Sequence, residues 1–193
     1  MHKRFLGSGF AAAVLCLLVD SISAQAADEY AVDGMHASVY FKISHLGLSY
    51  VYGRFNTFSG NFALEGDAAK CSFAMNIKTE SVDTGNSKRD EHLRSPDFFN
   101  VKQFPAITFK STSVKAAKGG YEVTGDLTLH GTTKPLTFTL QGGKKVEFPK
   151  GVQRTGFSTE FTIKRSEFGM DKFVAEGVGD DVLIAVSFEG TKK

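Results

Sequence analysis

The stretch "YEVTGDLTLHGTTKPLTFTL", Tyr121 to Leu140, decides how the rest of the chain reads. Apolar residues recur at alternate positions on both sides of a turn: Tyr121, Val123, Leu127 and Leu129 before it, Leu136, Phe138 and Leu140 after it. Successive side chains of a strand point to opposite faces, so the pattern predicts two strands, each with one greasy face. The link "HGTTKP" is short and turn-like. Strands joined so briefly run antiparallel, because a parallel return needs a long crossover.

The same period extends outward in both directions. Towards the N terminus, "AITFKSTSVK" aligns Ile107 and Phe109, and "CSFAMNI" aligns Cys71, Phe73, Met75 and Ile77. Further back, "FSGNFALE" aligns Phe58, Phe62 and Leu64, and "ASVYFKISH" aligns Val39, Phe41, Ile43 and His45. Towards the C terminus, "GFSTEFTIKR" aligns Phe157, Phe161 and Ile163, and "DDVLIAVSFEG" aligns Val182, Ile184, Val186 and Phe188. Eight strands result, linked by segments such as "EGDAAK", "KGG" and "FPKG". No internal repeat or low-complexity linker interrupts them, so one domain is expected.

An eight-stranded antiparallel meander with one greasy face must cover that face. Too little non-strand sequence exists to form a second layer. Closure into a barrel buries the apolar faces against each other and removes the edges. A two-sheet sandwich is the competing solution. The fold class expected is all-β, an extended eight-stranded antiparallel barrel. Strands of about eleven residues at ~3.3 Å each, tilted by ~40°, make it nearly 30 Å tall.

The chain has 18 Phe and no Trp. That aromatic bulk either fills the barrel or encloses a cavity for one ligand. On the second reading the lumen candidates from the first half of the chain are Val39, Phe41, Ile43, Phe58, Phe62, Phe73, Met75, Ile77 and Phe98. Those from the second half are Phe109, Leu127, Leu129, Phe138, Phe157, Phe161, Ile163, Met170, Ile184 and Val186. A tall, narrow, apolar lumen suits a long thin guest.

One block breaks the alternation: "ESVDTGNSKRDEHLRSPDFFN", Glu80 to Asn100. Asp83, Thr84, Asn86 and Ser87 are capable helix caps, and "KRDEHLR" is a good helix former with an Asp90 to Arg94 pair at i,i+4. "SPDFF" reads as a second helix start, with Ser95 as cap and Pro96 at the first position. The segment 82–100 is therefore expected to be a helical excursion over a barrel mouth, pinned by Leu93, Phe98 or both. His45, Arg89 and Asp90 are the candidates to meet a ligand headgroup at the rim. "RSEFGMDKF", from Arg165, is a second interruption that covers the other mouth or leans into the lumen.

The N terminus reads as a leader. His2, Lys3 and Arg4 precede a mostly apolar run from Phe5 to Val19, and Ala24 and Ala26 supply small residues for cleavage. The expected division is a signal peptide over 1–26 and a barrel domain over 27–193, exported to the periplasm. A net charge near zero, without a basic stripe, gives no sign of nucleic-acid binding. After residue 26 the sole cysteine is Cys71, in register with Phe73, so it reads as a small buried hydrophobe. His36, His45, His92 and His130 form no metal-ligand spacing, and no nucleophile elbow or P-loop occurs. No metal, cofactor or catalytic activity is expected.

Three blocks carry a family resemblance: "HASVYFKISHLGLSYVYGRFNTFSGNF", "TESVDTGNSKRDEHLRSPDFFNVKQFPAITFKSTSV" and "GDLTLHGTTKPLTF". Together they resemble the YceI-like family, bacterial periplasmic lipocalin-like proteins linked to polyisoprenoid binding. The resemblance implies a lipocalin-like barrel whose lumen holds a long-chain isoprenoid lipid, an isoprenoid quinone or a similar amphiphile. It implies a binding or carrier protein, monomeric or homodimeric, with room for transient membrane contact. Two other readings stand beside it: a filled barrel acting as a stress or interaction module, and a quinone-linked redox partner of a membrane cytochrome.

Overall fold

First and last strands meet. In the computed structural model, which describes residues 27–193, β1 (Asp28–His45) pairs antiparallel with β10 (Val178–Lys192), from Tyr30 opposite Lys192 to His45 opposite Val178. The leader expected over 1–26 lies outside the described residues. Between β1 and β10 the chain meanders through β2 (Ser49–Phe55), β3 (Phe58–Leu64), β4 (Ser72–Lys78), β5 (Val82–Asp83), β6 (Ala106–Ala117), β7 (Gly120–Leu129), β8 (Thr132–Glu147) and β9 (Gln153–Lys164). Each neighbouring pair is antiparallel and the β1–β10 ladder closes the sheet, so the barrel forms and the sandwich does not.

Ten strands make eight staves. β2 pairs with the upper half of β1, Tyr40 opposite Arg54 to His45 opposite Ser49, while β3 pairs with its lower end, Asp28 opposite Leu64. β2 and β3 are thus one stave bent at Asn56 and Thr57. β4 and β5 form a second bent stave, β4 against β3 and β5 against β2. β2 has no counterpart among the eight strands expected from the sequence. Its outward positions hold Tyr50 and Tyr52, which hide the alternation. Gly53 breaks its inward row, and that glycine is required: a Cβ there would lie 2.2 Å from the Phe41 ring.

The two ends differ in packing. At the closed end, the end of Asp28 and Lys192, aromatic rings interlock. Tyr30 stacks on Phe62 at 4.9 Å, and Phe157 meets Phe62 and Phe73 edge-on at 5.7 and 5.6 Å. Gly190 leaves room for this stack, since its Cβ would sit 2.4 Å from the Phe62 ring. Cys71 is buried in the same cluster, as its register predicts. Asp28 ties three strands here, accepting from Lys145 at 2.8 Å and pairing with Lys192 at 2.6 Å, which hold its pKa down to about 2.

At the other end the sheet opens. β4 pairs with β6 only from Ala74 opposite Lys110 to Lys78 opposite Ala106. Above that, the excursion 84–105 parts β5 from β6, and it carries helix α1 (Ser87–Arg94). Arg94 donates to the carbonyls of Glu80 at 2.7 Å and Val82 at 2.8 Å, satisfying an edge that β6 does not reach. Asn86 is the cap, its Oδ1 accepting from the Arg89 amide at 3.1 Å. Two expectations fail here. The segment 95–103 forms turns, not a second helix, with Asn100 at φ 45°. Asp90 and Arg94 do not pair, because each finds backbone partners nearer at hand.

Candidate functional site: an apolar hollow with one mouth

Inward residues of the upper half, such as Phe41, Phe109, Phe161 and Ile184, are only half-buried. They face a hollow of about 390 Å³, within the usual range for ligand sites of ~300–1,000 Å³. Val178 and Phe188, both on β10, border it. At ~3.3 Å per residue and a ~40° tilt that separation is about 25 Å, so the hollow is long and narrow. Its floor is Phe62, Phe73 and Phe188, the top of the interlocked rings. Its mouth is bordered by His45, Arg89 and His92, all exposed, so it reaches solvent at that end.

Every lumen candidate named from the sequence borders this hollow except Phe58 and Phe157. Phe58 follows the bend at Asn56 and Thr57 and packs against the upper core cluster. Phe157 is sealed within the ring stack, 4 % exposed. Of the rim candidates, His45 and Arg89 border the hollow and Asp90 does not. Asp90 is buried, and its Oδ1 accepts from the Thr84 amide at 2.8 Å and the Thr84 hydroxyl at 2.6 Å. It fastens the entry to α1. Arg89 is positioned in the same way, donating from Nε to Thr84 Oγ1 at 2.8 Å and from a terminal nitrogen to the Thr84 carbonyl at 2.9 Å.

The excursion does more than cap. Leu93, Phe98 and Phe99 all border the hollow, and Phe99 meets Phe55 edge-on at 5.5 Å. The second interruption lies at this same mouth, not the opposite one. Phe173 is 6.2 Å from both His92 and Phe98, and Lys172 approaches Asp97 at 3.9 Å. His92 Nε2 lies 3.0 Å from Asp97, and this contact, with Lys172 behind it, holds the Asp97 carboxyl below its ordinary value. Met170 reaches the hollow, and the turn before it closes at Gly169 with φ 73°.

Two polar groups were missed. Arg165 is 4 % exposed and borders the hollow, donating to the carbonyls of Met170, Val178 and Gly179. Burial pushes the guanidinium below its usual pKa, while Asp180 and Asp171 act the other way. It ties the β9 end to the β10 start as a brace. Thr159 Oγ1, also bordering the hollow, has no hydrogen-bond partner among the described residues. Both continue the inward face of Phe157, Phe161 and Ile163 at period two, and their polarity hid them. Val51 and Phe55 were missed because β2 was. Among the described residues no carboxylate borders the hollow, and its ionisable neighbours are His45, Arg89, His92 and Arg165.

A family model described as the YceI-like domain matches residues 30–190. The chain belongs to the YceI-like family. Protein YceI of Escherichia coli is 40 % identical over the whole of both chains. The fold is similar to the crystal structure of Burkholderia cenocepacia BcnA, with a TM-score of 0.74 and 25 % identity, over 82 % of this chain and 98 % of that one. It is also similar in fold to a polyisoprenoid binding domain from Saccharophagus degradans implicated in plant cell wall breakdown. That TM-score is 0.62 at 15 % identity, covering 85 % of this chain and 98 % of the domain. YceI-like membership therefore accounts for the closed barrel with one short helix.

Proposed function

We propose that this protein holds one long-chain amphiphile, a polyisoprenoid or an isoprenoid quinone, tail inward and headgroup at the mouth. The observation that carries the reading is the hollow itself: apolar along its length, floored by packed rings and reaching solvent beside a basic rim. The printed name of the Saccharophagus degradans domain, polyisoprenoid binding, agrees with that chemistry. The leader pattern over 1–26 supports a periplasmic place for this carrier or store.

Energetics set what such a carrier does. Each methylene moved from water into the hollow contributes about 0.8 kcal/mol. A lipid bilayer offers its tail nearly the same, so against a membrane that contribution almost cancels. Selectivity then falls to hydrogen bonds at the rim, from His45, Arg89 and His92, and to Thr159 inside. Inward phenylalanines set capacity. Organic extraction of the purified protein followed by mass spectrometry tests this. A long-chain isoprenoid in near-stoichiometric yield is expected, and Arg89→Ala should change which headgroups are recovered. A reproducibly empty barrel that takes up no such lipid when offered one contradicts the reading.

A further inference from the structure

The hairpin of β1 and β2 carries an outer surface that folding does not use. At its tip Leu46 is 50 % and Leu48 84 % exposed, and behind them Tyr50 and Tyr52 are 56 % and 65 % exposed. Single exposed apolar residues are ordinary, but a contiguous group at one turn is not. The tip is held in place: the Leu46 amide donates to the Gly177 carbonyl at 2.9 Å and the Leu48 amide to His45 at 3.0 Å. Leu46 adopts φ 55°, a conformation that leucine rarely takes. Glycine or asparagine takes that conformation at less cost.

Cations interleave with these rings. Lys42 lies opposite Tyr52 and Tyr40 opposite Arg54, and Lys42 Nζ sits 4.7 Å above the Tyr50 ring. Arg54 also faces Asp83 at 3.5 Å, on the neighbouring β5. Between Asp33 and Glu65 the chain itself has no carboxylate. Leucines at a tip, tyrosines behind them and lysine or arginine alongside match the layers of a bilayer surface: acyl boundary, headgroup level and phosphates. From Leu48 to Tyr52 the strand advances about 13 Å, enough to reach from headgroup level to the hydrocarbon edge.

We propose that this hairpin is a membrane-docking edge that seats the mouth of the barrel on an anionic bilayer surface. Its position gives the docking a purpose. His45, which ends β1, borders the hollow directly, so a docked hairpin sets the mouth against the lipid and shortens the path of a greasy tail through water. The other exposed apolar residues, Met35, Val146 and Phe148, belong to the opposite half of the barrel and sit among charges of both signs, Asp33, Glu147 and Glu189 with Lys144, Lys145, Lys150 and Arg154. Docked through that group, the protein would hold its mouth away from the lipid, whereas the hairpin sets the mouth against it.

Flotation of the purified, exported protein with phosphatidylcholine vesicles, with and without phosphatidylglycerol, tests the assignment. Association is expected with the phosphatidylglycerol vesicles and should weaken with salt. Leu46→Ser with Leu48→Ser should reduce it by about tenfold or more, given the apolar area lost. Lys42→Glu should also reduce it, and Phe148→Ser should leave it unchanged. Because the chain has no Trp, Leu48→Trp gives a single reporter whose emission should shift to the blue on docking. Absence of vesicle association, equal flotation of the double variant, or loss in Phe148→Ser instead would overturn the proposal. A melting curve like that of the parent protein shows that the variants fold. Extraction of bound lipid from the same samples separates this result from the lumen reading, because docking needs no guest inside.

Discussion

The closed end and the mouth end are built from the same eight staves and behave as opposites. At the closed end, rings from five strands interlock, short hairpins join the strands and Asp28 clamps β1 to β8 and β10. At the mouth end, two staves bend, β5 and β6 part, and a brace of Arg165 and an excursion fastened by Asp90 and Arg94 hold the opening. The inward side chains there have neighbours on the wall but no filling opposite. Alternation at period two produces a barrel; whether the barrel is full depends on whether rings from opposite walls meet.

Core truncation should separate the two ends most strongly. Phe62→Ala, within the ring stack, is expected to cost about 3–5 kcal/mol in denaturant unfolding, the usual range for a buried phenylalanine. Phe161→Ala, beside the hollow, should cost only about 1–2 kcal/mol, since it enlarges a space already there. Equal losses would break the comparison. Next in size, Arg165→Leu keeps the apolar stem but strands three carbonyls, so a loss of about 2–3 kcal/mol is expected. Hydrogen exchange should show residues 165–179 opening first while β7 stays protected.

Smaller effects test the fastenings. Asp90→Ala removes both bonds to Thr84 and should cost about 1 kcal/mol, with faster exchange in α1 and little change elsewhere. Smallest is a pH effect at the closed end. Asp28 is held at about 2 against an ordinary 3.8, so the folded state keeps its proton off more readily than the unfolded chain does. That contribution is whole above the unfolded value and disappears as pH falls from about 4 to 2. Stability measured across this window should decline, and less steeply in Lys145→Ala, which removes the hydrogen bond that lowers the Asp28 carboxyl most. The sloping part belongs to Asp28 only if the variant flattens it.

The sequence made the barrel legible because eight runs alternate cleanly and their links are short. Inward positions followed from the same period, and most of them border the hollow. What stayed hidden has particular causes. β2 was masked by outward tyrosines and an inward glycine, a ring-for-hydrogen exchange with Phe41 that spans two strands. Arg165 and Thr159 were masked because a polar residue on a greasy face looks like the end of a strand. Asp90 was given to the rim because charges on a short helix look solvent-facing, whereas its actual partner, Thr84, lies before the helix begins. The position of the second interruption, at the same mouth as the first, depends on where β9 and β10 turn, and no local pattern encodes that.

The account stands on the hollow being a site for a guest and not merely unfilled core. Native mass spectrometry of the parent protein and of Ile184→Trp, which puts a larger ring into the hollow from β10, addresses it directly. The parent should carry one long-chain lipid per chain, and Ile184→Trp should fold as stably or more so yet arrive bare. The same lipid on both proteins, or none on either after exposure to isoprenoid lipids, would contradict it.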